Sequence, residues 1–405
     1  MPMNKAPAPP GDRKWFVLLL ATLTFTFVVA IPSMSLPVLF DEIASDLGLN
    51  LVQVGWIWGL GSVLAILVGL IGGPLGDRFG PRRTLAVACL LMGIAGAARG
   101  ISHSFSMLAL TSLMTGFAQW SIPMNIHKTC GIWFSREKLG MANGVVSVGM
   151  ALGFLMGSLL AATILSPLLG GWRNVLILYG AVACCFGTFW WLSPEKKSGR
   201  NRAGTSPAAL GEAIGYVVRQ RNVWILCLAT AGVSGCVNGL LGYLPLYLRG
   251  LGWEPVMADS TLASFHAISM VFAIPIALFS DRIGNRRGVL ISAALLIGLG
   301  TALVGFSSGI MISLAVLLAG VSRDGFMAIT MTTAIEVKGV GARYAGSATG
   351  LIMSTMGLSN VFAPPFGNWL ARCGAGFPFL FWAALVISGA MCLLFRRSAV
   401  AGSRP

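Results

Sequence analysis

The amino-acid sequence predicts an all-α membrane protein: twelve transmembrane helices arranged as two pseudo-symmetric six-helix bundles. Three observations predict it. First, of 405 residues 56% are hydrophobic and only 10% charged, with a mean hydropathy of +0.81. Soluble domains carry about a quarter of their residues as charges, and this much apolar surface escapes water only by facing lipid. Second, the basic residues are sorted along the chain rather than scattered. Third, the chain echoes itself at a fixed offset across half its length.

Apolar runs long enough to cross a bilayer core, which takes about 20 residues, fall near 15–40, 53–75, 84–101, 104–134, 141–165, 172–193, 222–248, 259–280, 288–306, 309–337, 344–371 and 377–395. With the N-terminus inside, the cytoplasmic segments collect 22 of the 28 basic residues; Arg99, Arg173, Arg249 and Arg372 fall on the outer side, and Lys128 and Arg323 inside spans. Basic residues gather on the cytoplasmic face of membrane proteins, so both termini are expected to be cytoplasmic. The net charge of +15 is thereby read as topology, and nucleic acid is not expected as a partner. Arg13-Lys14 ahead of the first run could open a signal peptide, but the run is too long for an h-region and no small-residue cleavage site follows. It is expected to be retained as the first span.

The longest polar stretch divides the spans six and six. The expected organisation is a cytoplasmic tail over 1–14, an N-terminal bundle over 15–193, a cytoplasmic linker over 194–221, a C-terminal bundle over 222–395 and a tail over 396–405. Within the linker, Leu210, Ile214, Val217 and Val218 recur at helical spacing ahead of Arg219 and Arg221, the pattern of a short amphipathic helix on the membrane surface. The eight cysteines fall almost wholly inside apolar runs without metal-ligand spacing, which reads as small apolar filler. No cofactor is expected.

The clearest echo lies in two polar loops. Gly76-Asp77-Arg78-Phe79-Gly80-Pro81-Arg82-Arg83 is matched by Ser280-Asp281-Arg282-Ile283-Gly284-Asn285-Arg286-Arg287, an offset of 204 (76 to 280). Leu36-Pro37-Val38-Leu39-Phe40 is echoed by Leu244-Pro245-Leu246-Tyr247-Leu248 at 208 (36 to 244). Gly140-Met141-Ala142-Asn143-Gly144 is echoed by Gly346-Ser347-Ala348-Thr349-Gly350 at 206 (140 to 346). Three echoes in order, agreeing to within four residues, mark a duplicated architecture.

These residues resemble the major facilitator superfamily. Its loop between spans 2 and 3 reads G-x-L-[AG]-D-[RK]-x-G-x-[RK]-[RK], and Gly73-Pro74-Leu75-Gly76-Asp77-Arg78-Phe79-Gly80-Pro81-Arg82-Arg83 matches throughout. The second-half copy keeps Asp281, Arg282, Gly284, Arg286 and Arg287. The resemblance implies two bundles rocking about a central cavity that opens alternately to each side, in a chain for which a monomer suffices. It also implies a conformational gate at Gly73, Asp77, Arg78, Gly80, Arg82, Arg83, Asp281, Arg282 and Gly284. Asp77 would sit near the start of span 11, around Tyr344–Gly346, and Asp281 near the start of span 5. There a carboxylate is favoured by a helix dipole and free N–H groups. Solvated basic turns that only set topology are the competing reading. Span 5 has glycines at small-xxx-small spacing, Gly149, Gly153 and Gly157 among them. It lacks the Gly-Pro pair of many drug/proton antiporters in the superfamily, and tight helix packing is the reading of those glycines.

Ionisable groups inside a span are functional hypotheses, since insertion costs about 2.5–3.5 kcal/mol each. Arg323 and Asp324 in span 10 lie about 14 residues, or roughly 21 Å, from its outer end. Arg323 could meet an anion while Asp324 pairs with it, or the two could form a structural ion pair. His266 in span 8 is also near midplane, as a relay, a hydrogen-bond donor or a satisfied polar group between helices. Lys128 either snorkels to the interface or lines the inward-open cavity. The resemblance puts Asn125, Asn238, Tyr243 and Asn360 near that cavity as well. The basic excess of Arg323, Lys128 and two histidines over Asp324 favours an anion. The expected function is secondary transport of a small organic or inorganic anion across a bacterial-type inner membrane, loosely resembling cyanate-permease-like and monocarboxylate carriers. Asp324 and His266 are the coupling candidates should protons be coupled. The alternatives are efflux of apolar or cationic compounds, with Asp324 facing the cavity, and a non-transporting sensor on the same fold. No nucleophile–base pair, metal signature or phosphate loop suggests an enzyme.

Overall fold

The computed structural model describes residues 11–64, 68, 79–195, 215–337 and 340–394. Within these the chain is helical, with no strand. In chain order the helices are α1 (Arg13–Leu47), α2 (Leu51–Leu60), α3 (Pro81–Gly100), α4 (Phe105–Trp133), α5 (Glu137–Leu169) and α6 (Trp172–Leu192). They continue as α7 (Arg221–Gly250), α8 (Pro255–Ile283), α9 (Arg286–Phe306), α10 (Ile310–Ala334), α11 (Gly341–Leu370) and α12 (Phe377–Leu394). Nine of them are long and apolar enough to cross a membrane: α1, α3, α5 to α10 and α12.

Local chemistry sets the helix ends. At the start of α2, Asn50 Oδ1 accepts from the Gln53 N–H at 3.0 Å and Gln53 Oε1 accepts from the Asn50 N–H at 2.9 Å, a reciprocal cap. Ser104 and Asn285 cap α4 and α9 through Met107 N–H and Gly288 N–H. Gly80 before α3 and Gly284 after α8 hold φ of 82° and 68°. A side chain is strained there, which is why both copies of the echoed loop carry glycine at that point.

Each long helix packs through small residues. Thr26 Oγ1 donates to Gly149 O at 2.8 Å, and a Cβ at Gly153 or Gly157 would strike α1 at Ala30 or Ile31. The glycine stripe of α5 is therefore a packing surface. Beside it α1 widens into a π-helical turn over Phe25–Ala30. Cys89, Cys130, Cys227 and Cys236 are buried as filler, whereas Cys185 and Cys373 are exposed. In the linker, residues 215–218 are helical, but Val217 is buried and Tyr216 stacks on Tyr344 of α11 at 4.5 Å. The described turn packs on the bundle through Tyr216 and Val217, while Leu210 and Ile214 lie outside the described residues.

Two ends of the bundle can be distinguished. The motif end carries the Gly80 and Gly284 turns; the far end carries the turns at 48–50, 101–104, 251–254, 307–309 and 371–376. At the far end the halves are locked together. Asn368 of α11 donates to Leu51 O at 2.8 Å, Arg249 of α7 to Val38 O at 2.6 Å, and Trp58 of α2 to Asn238 O at 2.8 Å. A Cβ on Gly55 would lie 2.7 Å from Pro365 Cα, so α2 and α11 approach backbone to backbone. At the motif end His127 is exposed and meets residues of its own half, Asn143 by Nδ1 to Oδ1 at 3.1 Å and the ring of Phe25 edge-on at 6.3 Å. Among the described residues, these hydrogen bonds between the halves gather at the far end.

Arg99 and Arg249 depart from solvated loop charges: in the last turns of α3 and α7, Arg99 is buried and Arg249 nearly so. A cation is favoured at a helix C-terminus. Arg99 further donates to Thr115 Oγ1, and Arg249 to the fully buried Asp259 at 2.8 Å.

Candidate functional site

The site begins with an interruption. α10 is continuous in sequence but breaks at Ser322 (φ −103°, ψ 0°), which ends one helical segment at Val321 and starts the next at Arg323. Ser322 Oγ donates to Ala293 O of α9 at 3.0 Å, fixing the break against the neighbouring helix. Half-helix N-termini inside a membrane present free N–H groups and the positive end of a dipole. Arg323 and Asp324 are the first two residues of that second half-helix. The Asp324 N–H is held by Ser269 Oγ of α8 at 3.2 Å.

Arg323 and Asp324 bond each other through Nη1 and Oδ1. Their side chains are 26% and 27% exposed, so the pair is not entombed. Arg323 Nε and Nη2 bond no other protein group among the described residues. Leaving such donors against hydrocarbon at midplane is costly.

His266 lies on the same helix as Ser269, nearly one turn earlier, within electrostatic reach of both Arg323 and Asp324. It is buried, its ring 5.2 Å from Phe154 of α5, across the seam between the halves. Its Nε2 has no hydrogen-bond partner among the described residues.

Asn238 and Asn360 belong to the opposite seam. Asn238 Nδ2 donates to Asn360 O at 3.1 Å, and Asn360 Oδ1 accepts from Ser234 at 2.8 Å. Through Trp58, this α7–α11 network is tied to α2. Asn125 is buried, with Nδ2 on Ser121 O at 2.9 Å and Oδ1 unpartnered among the described residues. Tyr243 is 4% exposed inside a cluster with Tyr247, Phe379 and Trp382. That places it in the packing of the C-terminal half rather than beside Arg323. Lys128 is half-buried in the motif-end half of α4.

Of the loop residues, Gly73, Asp77 and Arg78 lie outside the described residues. Arg82 donates through Nε to Trp190 O at 3.2 Å and pairs with Glu195 at 3.4 Å, tying α3 to the end of α6. Arg83 and Arg282 are exposed. Asp281 is 63% exposed and pairs at 3.1 Å with Arg286 of its own loop, and Arg286 also pairs with Glu336 at the end of α10. The structure thus brings together Arg323, Asp324 and His266, and separately Asn238 and Asn360.

Sequence reading missed four participants. Ser269 and Trp58 are common residue types that only contact makes significant. The break at Ser322 lies between Gly320 and Gly325, but glycine is common in these helices and does not by itself announce a break. Gln119 of α4, whose Nε2 donates to Ser33 Oγ of α1 at 3.0 Å, was legible only through the internal repeat.

Comparison with known proteins agrees with this architecture. The family model described as Major Facilitator Superfamily matches residues 18–353 and 251–405. The chain is 30% identical over 285 residues to a probable nitrate/nitrite antiporter of Thermus thermophilus, spanning 67% of this chain and 62% of that protein. It is 24% identical over 395 residues to a probable sulfoacetate transporter of Cupriavidus necator, spanning 91% and 90%. In fold it superposes with TM-score 0.78 and 16% identity on a bacterial homologue of the human lysosomal transporter Spinster, captured inward-facing and occupied, covering 95% of this chain and 97% of that one. With its helical architecture, its duplicated loop motif and a family match that runs the length of the chain, this chain belongs to the major facilitator superfamily, a family of membrane transporters rather than enzymes.

Proposed function

We propose that this chain is a secondary carrier that moves a small anion by alternating access, and that Arg323 binds the anion. One observation carries the reading. At mid-membrane, Arg323 stands at a half-helix N-terminus with Nε and Nη2 uncommitted and a quarter of its side chain open. A guanidinium offers a planar fork that matches an oxyanion, and the half-helix dipole adds to it. The relatives named for nitrate/nitrite and sulfoacetate support an anion as cargo.

In this reading the motif end faces the cytoplasm of a bacterial inner membrane, with both termini on that side and the halves divided by the 194–221 linker. The state seen is inward-open, and the Asp281 loop stands disengaged. Closure would bring the two motif loops to the opposite bundle and break the far-end bonds of Leu51, Val38 and Asn238. Asp324 balances Arg323 when the site is empty. Asp324 and His266 are the groups placed to take a proton if transport is proton-coupled.

The test is thermal stabilisation of the purified carrier by nitrate, nitrite, sulfoacetate and gallate, with cationic and neutral drugs alongside. Stabilisation by an anion that disappears in Arg323→Ala, with the variant still folded, is expected. Stabilisation by drugs alone, indifferent to Arg323→Ala, would overturn the anion reading in favour of efflux centred on Asp324.

A further inference from the structure

We infer that Gln119 of α4, held by Ser33 of α1, is the substrate-contacting residue that faces Arg323 from the N-terminal half and sets the site's preference for monovalent oxyanions. The inference rests on Arg323 binding the anion and adds the other wall of the site.

The internal repeat supplies the position. The echoed loops are offset by 204 (76 to 280), and α4 and the first segment of α10 begin 205 apart (105 to 310). Subtracting 204 from 323, or 205 from 324, gives 119 in both cases. Gln119 is therefore the counterpart of the Arg323–Asp324 step in the other half. Its depth agrees: about 14 residues from Phe105, roughly 21 Å of helix, against about 13 residues and roughly 20 Å for Arg323 from Ile310. In a fold of two related halves around a central cavity, counterpart positions on counterpart helices face each other across it.

The local chemistry fits a binding group rather than a packing one. Ser33 Oγ donates its proton to Val29 O at 2.6 Å, so its lone pair must accept and the Gln119 amide must donate to it. That fixes the amide orientation and leaves Gln119 one N–H and its carbonyl oxygen without a partner among the described residues. Ser33 itself lies about one and a half turns motif-ward of Val38, whose carbonyl is bonded by Arg249 in the far-end lock. Gln119 thus stands just below the seal, where the halves part, and is half-buried.

Charge then selects the cargo. Asp324 balances Arg323 when the site is empty; once Asp324 takes a proton, Arg323 offers a single positive charge, and Gln119 is neutral. One positive fork, one neutral amide N–H and a half-helix N-terminus suit a monoanion. A dianion would enter with a charge that nothing opposite Arg323 offsets, and an uncompensated charge away from water is strongly disfavoured.

The experiment measures binding of nitrate as the monoanion and sulfoacetate as the dianion to the purified full-length carrier. Four single variants, Gln119→Leu, Gln119→Glu, Gln119→Arg and Arg323→Gln, and the double variant Gln119→Arg/Arg323→Gln are compared with wild type. Thermal unfolding without anion reports whether each variant is folded, and the near-isosteric Gln119→Glu keeps the measurement informative should Gln119→Leu fail to fold. Gln119→Leu is expected to weaken nitrate about ten-fold, and Gln119→Glu to abolish its binding. Gln119→Arg is expected to move the preference toward sulfoacetate by ten-fold or more. The double variant Gln119→Arg/Arg323→Gln, which carries the guanidinium to the opposite wall, is expected to recover part of the nitrate binding lost in Arg323→Gln. Loss of binding in Arg323→Gln with folded Gln119 variants within two-fold of wild type would overturn this inference and leave the anion reading standing. Indifference to Arg323→Gln, or no anion binding by wild type, would overturn both.

Discussion

A single methyl group at the far-end seam should shift the balance between the two states of this carrier. A Cβ on Gly55 of α2 would stand 2.7 Å from Pro365 Cα and from Pro365 N of α11. A comfortable contact begins near 3.4 Å, so the two backbones must separate by several tenths of an ångström. Overpacking of this kind costs about 1–3 kcal/mol. Since α2 and α11 touch here only when the far end is closed, that cost falls on one state alone. It corresponds to roughly a 5- to 150-fold shift toward the far-end-open state. The helix-propensity gain of alanine over glycine, about 0.5–1 kcal/mol, is common to both states and cancels.

Gly180 provides the control. Its Cβ would meet Ala97 N and Gly93 O, also at 2.7 Å, but α3 and α6 belong to the same half and stay packed throughout the cycle. Gly180→Ala should lower the Tm without moving the equilibrium. Spin labels at Asn50→Cys and the native exposed Cys373, with Cys185 replaced by serine, report the far-end distance. Gly55→Ala is expected to populate a longer distance while Gly180→Ala keeps the wild-type distribution. An unchanged distribution in Gly55→Ala, or equal shifts in both variants, would refute the argument that this seam is the state-dependent one.

Other consequences follow from the same contacts. Arg249→Leu leaves the fully buried Asp259 without its cation, and breaking a buried pair costs about 3–5 kcal/mol. Thermal unfolding should show a large Tm loss that Arg249→Leu/Asp259→Leu partly restores. Trp58→Phe removes the 2.8 Å bond to Asn238 O, worth about 1 kcal/mol net, and should raise the far-end-open population about five-fold by the same label distances. Arg286→Ala loses two pairs whose carboxylates are 63% and 52% exposed. Such pairs contribute about 0–1 kcal/mol, so the Tm of that variant should stay close to wild type.

Most of the fold was legible in the sequence, the glycine stripe of α5 included, whereas the far-end lock was not. Lipid imposes one constraint on every span, namely that backbone polar groups be bonded within the segment. Long apolar runs therefore have to be helices, and Gly80 and Gly284 have to be turns. The duplicated loops fixed the twofold plan, and the scarcity of charges inside spans pointed to Arg323, Asp324 and His266, which the structure does bring together. Tyr243 shows the limit of that reasoning. An aromatic hydroxyl on a cavity-lining helix is as compatible with a packed cluster as with a ligand site, and only the positions of Phe379 and Trp382 decide.

What the sequence determined by itself was the class of the molecule, its repeat and the depth of its ionisable groups, because hydrophobicity and helical rise are local properties that add along a chain. What the tertiary structure alone decided was which polar groups meet. The helix break at Ser322, the Ser33–Gln119 bond and the seal of Leu51, Val38 and Asn238 all depend on the rotation and closeness of helices remote in sequence. Those are set by packing between side chains and by backbone approaches at residues such as Gly55, where an ångström separates a contact from a clash.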